Sequence, residues 1–349
     1  MAQEAPYRVC FAPKNREEEE EDEKIYKRYE EIVAKLPTTE GWSGHLIYQY
    51  QGFWYNSEVL GAAPLVVQRH FKARPSDILV ASTHKCGTTW LKSLTFAVMN
   101  RKSHPPSAQH HPLHIFNSHD LVPFWEFNLY NNKNNGNRIP NLDILPSPRL
   151  FSTHMPYTSL PESVTLSDSR ILYICRNPKD NLVSWWHYVN KFRSILSLEP
   201  MKVQEAFEWF SKGMSPMGPF WDHVLGYWKG SSERPQNVLF LNYDEMLAEP
   251  ALHLKKMAEF MGCPFSSMEE EEEVVDQVIK LCSFENLSNL AVNKNGTTYP
   301  GVSNSSYFRQ GKVGDSANYL TPEMMEQLDR LTEQKLHGSG LTLSICHLS

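Results

Sequence analysis

Three short apolar runs constrain this chain most. Ile78–Ser82 (ILVAS), Ile171–Cys175 (ILYIC) and Val238–Leu241 (VLFL) lack polar alternation, and each leads into a helix-forming stretch. Strands that are apolar on both faces must be covered on both, and helical crossovers make such strands parallel. The pattern predicts a single α/β domain with a central parallel sheet flanked by helices. A chain of 349 residues with 41% apolar content can build such a core, which excludes disorder for its body.

Charge divides the chain more informatively than its net value of −6. Seven acids run from Glu17 to Glu23 and five from Glu269 to Glu273; setting those twelve aside leaves 28 acidic against 34 basic residues. That mildly basic remainder suits an anionic ligand and speaks against a protein that coats nucleic acid. Residues 1–23 read as an acidic flexible tail, and residues 24–349 as the folded domain. Residues 24–36 carry helical spacing up to Pro37, and 321–336 resume it behind Thr321-Pro322. Residues 131–136 (NNKNNG) read as an exposed loop tip, and 284–319 as an irregular lid or binding loop. Six cysteines in no framework spacing read as reduced thiols. With neither a leader-type apolar segment nor a membrane-length run, the expectation is a cytoplasmic protein without a membrane partner.

Three stretches carry chemistry. After the first strand, Lys85-Cys86-Gly87-Thr88-Thr89-Trp90 enters a helix. Glycine permits close backbone approach, a helix N-terminus supplies unpaired N–H groups, and Lys85 adds a point charge, so the loop is a P-loop-like phosphate cradle. It is not the GxxxxGK[ST] pattern, because Lys85 precedes Gly87. The second strand ends in Arg176-Asn177-Pro178-Lys179-Asp180, where an arginine fork at a strand's carboxyl end suits phosphate, with Ser184 two turns on. The third is the basic, glycine-rich loop Phe308-Arg309-Gln310-Gly311-Lys312-Val313-Gly314-Asp315. Taken singly, these could be a plain strand–turn–helix, a surface arginine and an exposed turn. His104, His110, His111, His114 and His119 form a cluster broken by prolines, which reads as a pocket-lining loop rather than a metal site.

In this order the stretches resemble the plant cytosolic (soluble) sulfotransferase family, whose members read roughly PKSGTTW, RNPxD and RKGxxGDW at these places. Ser152-Thr153-His154-Met155-Pro156, Asn242-Tyr243-Asp244-Glu245 and Cys282-Ser283-Phe284-Glu285-Asn286 extend the similarity, which spans about residues 37–343. The resemblance implies 3′-phosphoadenosine 5′-phosphosulfate (PAPS) as sulfuryl donor and no metal. It places the phosphosulfate on Lys85, Cys86, Gly87, Thr88 and Thr89. The adenine would lie between Trp90 and Phe284, with Tyr243 and Cys282 at further nucleotide positions. The 3′-phosphate would be held by Arg176, Ser184, Arg309, Gln310 and Gly311. His154 would be the base and Lys85 the group that stabilises the leaving phosphate. Four residues depart from the pattern: His84 for Pro, Cys86 for Ser, Gln310 for Lys, and Ser316 for the final Trp.

The alternatives are a nucleotide-dependent small-molecule kinase, which would need the missing loop pattern and a Mg²⁺-holding acid, and a catalytically silent nucleotide-binding relative. Phe53, Trp54, Phe124, Trp125, Tyr157, Trp186, Tyr188 and Trp221 suggest a flat or apolar hydroxylated acceptor, with about half of them in the core instead. Plant relatives take flavonols, hydroxylated jasmonates, steroids and other hormones, and the sequence does not choose among these. The C-terminal segment carries no match to the short dimer motif of animal relatives.

Overall fold

The computed structural model describes residues 4–299 and 302–343, so Cys346 lies outside the described residues. Its first long helix, α1 (Arg16–Val33), begins earlier than the periodicity of residues 24–36 predicts. Asn15 and Glu18 form a capping box, and Glu17–Glu19 stand at the positive end of the helix dipole. The acidic run is therefore helical rather than a flexible tail. It is also tied down. Asp22 is buried, pairs with Lys14 and accepts the Ile139 N–H at 2.9 Å, while Glu19 meets Arg138 at 3.0 Å. Ahead of it, Tyr7 and Cys10 are buried, and Cys10 O accepts the Asn141 N–H at 2.9 Å.

The aromatic stretch that follows forms an antiparallel sheet of β1 (Thr38–Glu40), β2 (Leu46–Tyr50) and β3 (Phe53–Asn56). The central sheet comprises β4 (Ile78–Ser82), β5 (Leu150–Thr153), β6 (Arg170–Cys175) and β7 (Val238–Asn242) in the order β5-β4-β6-β7. All its pairings are parallel, as the three apolar runs require. Alternate residues feed opposite cores: Leu79, Ala81, Ile171 and Tyr173 on one face, and Ile78, Val80, Leu172 and Leu241 on the other. Helix α2 (Thr88–Asn100) covers the second face through Leu91, Leu94 and Val98. Helix α3 (Pro178–Ile195) covers the first through Leu182, Val183 and Val189. There α4 (Phe220–Glu233) is joined to α5 (Pro322–Leu336) by the Trp221 Nε1–H bond to Thr332 Oγ1 at 3.0 Å.

Candidate active site

The carboxyl ends of β4, β5 and β6 open into a cavity of about 540 Å³. Every nucleotide-binding candidate named above borders it except Cys86, and so does His154. The Cys86 side chain is fully buried behind the loop, 2.9 Å from Thr83 Oγ1 and 3.2 Å from Asn181 Nδ2. Its thiol packs the loop from beneath, so the change from serine costs no side-chain contact with a ligand.

Two glycines shape the phosphate end. Gly87 caps α2 at φ +102°, and a Cβ there would stand 2.6 Å from the Tyr243 ring. Only glycine accepts both the turn and that approach, which leaves the first-turn N–H groups of α2 facing the cavity. Gly311 sits at φ +64°, where a Cβ would stand 2.5 Å from the Phe284 ring. The charges between them are confined. Arg176 is buried; its Nη2 donates to Lys312 O at 2.6 Å and meets Asp180 Oδ2 at 3.3 Å. Arg176 Nε and Arg309 Nε are buried with no hydrogen-bond partner among the described residues, donors that a phosphate would satisfy. Asp180 also accepts the N–H groups of Gly314 at 2.8 Å and Ser316 at 2.9 Å, which clamps the third motif onto the second. Gln310 borders the cavity but is exposed. Trp90 meets Tyr243 edge-on at 5.6 Å, and Phe284 keeps 39% of its surface exposed at the cavity's edge, room for a flat ring.

His154 and Lys85 stand where this end meets the rest. His154 Nδ1 lies 2.8 Å from Ser82 O, so its ring proton points at that carbonyl and the Nε2 lone pair is left as a base. Burial, and next the His84 ring stacked on it at 4.0 Å, hold its pKa well below the usual imidazole value. Burial likewise brings His84 down to about 3, so both rings are neutral. Lys85 Nζ lies 4.6 Å over the Tyr188 ring and 3.4 Å from Ser306 O. Burial, together with Lys191, Arg309 and Arg176, pushes its pKa down to about 7.

The remaining wall is aromatic. Phe124 and Tyr188 line it as the sequence suggests, whereas Phe53, Trp54, Trp125, Tyr157, Trp186 and Trp221 are absent from the lining. Trp42, Phe127, Trp185, Phe192 and Tyr307 take their place. Residues 131–136 are not a free loop tip. Asn131 and Asn134 line the cavity, Asn131 Nδ2 donates to Val59 O at 2.6 Å, and Asn135 is buried against Leu129 O at 2.9 Å. Of the histidine cluster only His119 reaches the lining; His111 packs edge to face with both His104 and His114. No group of three or more metal-binding side chains is assembled among the described residues.

Sequence reasoning missed the supports. Glu126, fully buried on the π-helical turn Trp125–Leu129, accepts the His154 N–H at 2.6 Å and the Thr153 hydroxyl at 2.9 Å. Burial pushes its carboxyl up to about 7. His223 donates from Nε2 to His154 O at 2.9 Å. Asn181 donates to His84 O at 2.6 Å and so fixes the phosphate loop to α3.

A loop at a helix N-terminus beside the buried Arg176 and a neutral histidine is an arrangement that suits transfer of a charged group. Comparison with known proteins names the group transferred. Residues 75–340 match the sulfotransferase domain family. Cytosolic sulfotransferase 5 of Arabidopsis thaliana is 48% identical over 314 residues, 89% of this chain and 94% of that protein. An Arabidopsis thaliana sulphotransferase structure, provisionally assigned to steroids, superposes with a TM-score of 0.71 at 37% identity, covering 93% of this chain and 98% of that one. A mouse sulfotransferase structure in complex with PAP gives 0.65 at 27% identity, over 84% and 95% of the two chains. The chain belongs to the sulfotransferase family.

Proposed function

We propose that this sulfotransferase moves a sulfuryl group from PAPS to the hydroxyl of a small, flat or apolar acceptor, with His154 as base. The observation that carries the reading is the His154 hydrogen bond to Ser82 O at 2.8 Å, which leaves a neutral Nε2 facing a cavity whose other end is an anion cradle. The residues present fit the donor: two orphaned guanidinium N–H groups and two glycines that leave room for a ligand. Arg176, Ser184, Arg309 and Gly311 would hold its 3′-phosphate. Trp90 and Phe284 would flank the adenine, and the α2 N-terminus with Lys85 would hold the phosphosulfate. When bound, PAPS supplies the sulfuryl group and leaves as 3′-phosphoadenosine 5′-phosphate (PAP).

His154 Nε2 takes the acceptor's proton, which its neutral state permits near pH 7. Lys85 meets the charge that grows on the leaving phosphate, and the first-turn N–H groups of α2 share it. In this reading no metal is required, because Lys85 and the arginines supply the positive charge. The aromatic wall excludes water and selects a flat acceptor. The curated relatives are named cytosolic sulfotransferases, and no described helix is long and apolar enough to cross a membrane, so we assign the activity to the cytosol.

Incubation with PAPS and a panel of hydroxylated aromatic, steroid and fatty-acid-derived metabolites, with and without EDTA, tests the reading by mass spectrometry. Sulfated product in both arms is expected. Phosphorylated product that needs a divalent metal and ATP would assign the protein to kinases, and no product with any donor would leave a silent binding protein.

A further inference from the structure

Lys92 is fully buried in the first turns of α2. A lysine so placed normally faces a carboxylate. Here Nζ instead lies 2.8 Å from His119 Nδ1 and 3.3 Å from the centroid of the Phe124 ring. Burial lowers its pKa, while Glu126 and Asp120 favour the charged form. In the ammonium form, which Glu126 and Asp120 favour against burial, Lys92 has hydrogens to give and no lone pair to offer, so His119 Nδ1 accepts and the ring proton sits on Nε2.

That nitrogen is at the reacting end of the cavity. His119 lines the wall, and its Nε2 lies 3.3 Å from Thr89 Oγ1 in the anion cradle. His119 stacks on Phe124 at 5.3 Å, and His154 leans on the same ring at 4.6 Å. The two histidines are therefore in opposite tautomers beside one phenyl ring. His154 gives its Nδ1 proton to a backbone carbonyl and keeps Nε2 as a base; His119 receives at Nδ1 and keeps an N–H at Nε2. Burial, then Lys92 and Lys85, keep His119 neutral.

We propose that His119 is a second catalytic residue of the sulfuryl transfer, donating its Nε2–H to an oxygen of the group in transit, and that Lys92 is the positioning residue that fixes its tautomer. The inference rests on the sulfotransferase reading. No bond to His119 forms or breaks: the acceptor's proton goes to His154, the sulfuryl group passes to the acceptor oxygen, and the Nε2 proton stays on His119. A neutral imidazole donor adds an N–H to the electrostatic stabilisation of the transition state without becoming a competing acid.

Nitrogen-15 NMR of the histidine side chains, in the free protein and with PAP, reads the tautomer without turnover. The Nε2–H form is expected at His119 and the Nδ1–H form at His154, and Lys92→Met should abolish the preference at His119. His119→Ala should lower kcat by about 10²–10³-fold with PAP affinity unchanged. His119→Gln, which returns an N–H near the same place, should recover at least tenfold of that loss. An Nδ1–H tautomer at His119 in an active wild-type enzyme would overturn this proposal alone, as would a His119→Gln variant no better than His119→Ala. A wild type that transfers no sulfuryl group would overturn the underlying reading as well.

Discussion

The two ends of the cavity are built differently. The end we propose for the donor is made of short contiguous motifs at strand–helix junctions, fixed by backbone geometry and by one carboxylate, Asp180, that pairs with Arg176 and accepts the Gly314 and Ser316 N–H groups. The end we propose for the acceptor is a mosaic: Trp42 beside the small sheet, Phe124 and Phe127 at the start of and within a π-helical turn, Asn131 and Asn134 beyond it, Trp185 and Phe192 on α3, and Tyr307 on the short turn Asn304–Tyr307. A cradle that reads a constant nucleotide needs fixed N–H groups. A wall that reads a variable acceptor can be changed one side chain at a time without disturbing the cradle.

The comparison breaks if changes at one end are felt at the other. The largest separate effect is expected from Gly87→Ala, which forces a side chain into φ +102° and against the Tyr243 ring. PAP affinity should fall about 10–100-fold, equivalent to ~1.4–2.8 kcal/mol, by isothermal titration, with acceptor affinity little changed. Next comes pH. Burial and the basic neighbours of Lys85 bring its pKa down to about 7, and a bound phosphate raises it toward the ordinary lysine range. Its contribution to PAP affinity is full below pH 7 and is lost as pH rises through the pKa of the bound form. Affinity should therefore fall by up to about tenfold per unit above pH 7, with proton uptake visible in titrations in buffers of different ionisation enthalpy. Lys85→Met should flatten the profile; a profile that is already flat in the wild type would remove Lys85 from the phosphate.

Phe127→Ala probes the other end. It should raise the acceptor KM by about 2–12-fold, the scale of one aromatic contact, and leave PAP affinity unmoved; a matching loss of PAP affinity would merge the two ends into one. The smallest effect belongs to Gln310→Lys. Were the 3′-phosphate buried against it, the added charge would tighten PAP several-fold. Residue 310 is exposed, so solvent and salt should hold the gain to about twofold, read as the difference between PAP and a nucleotide lacking the 3′-phosphate.

The same contrast explains what the sequence could reveal. Runs such as Ile171–Cys175 announce buried parallel strands because both faces are apolar, and Lys85–Trp90, Arg176–Asp180 and Arg309–Asp315 are local enough to be read in line. Leu150–Thr153 escaped as a strand because it is four residues long and half polar, and it becomes β5 only by pairing with β4. The start of α1 was hidden in an acidic run whose anchors, Lys14, Arg138 and Ile139 N–H, lie outside it. Most aromatic assignments at the acceptor end failed because which of two neighbouring rings faces the cavity is a matter of packing. Trp185 lines it while Trp186 turns away to bond Met201 O at 2.8 Å. The partnership of Lys92 with His119 spans two elements, and no spacing rule connects them.

Both ends meet at His154, so the most direct test is the His154→Ala variant in a single turnover of enzyme-bound PAPS, with PAP affinity measured in parallel. Transfer should slow by about 10²–10⁴-fold while the PAP dissociation constant stays within about twofold of wild type. Unchanged transfer, or a loss accounted for wholly by weaker PAP binding, would contradict a cleft in which a neutral histidine joins an anion cradle to an aromatic acceptor wall.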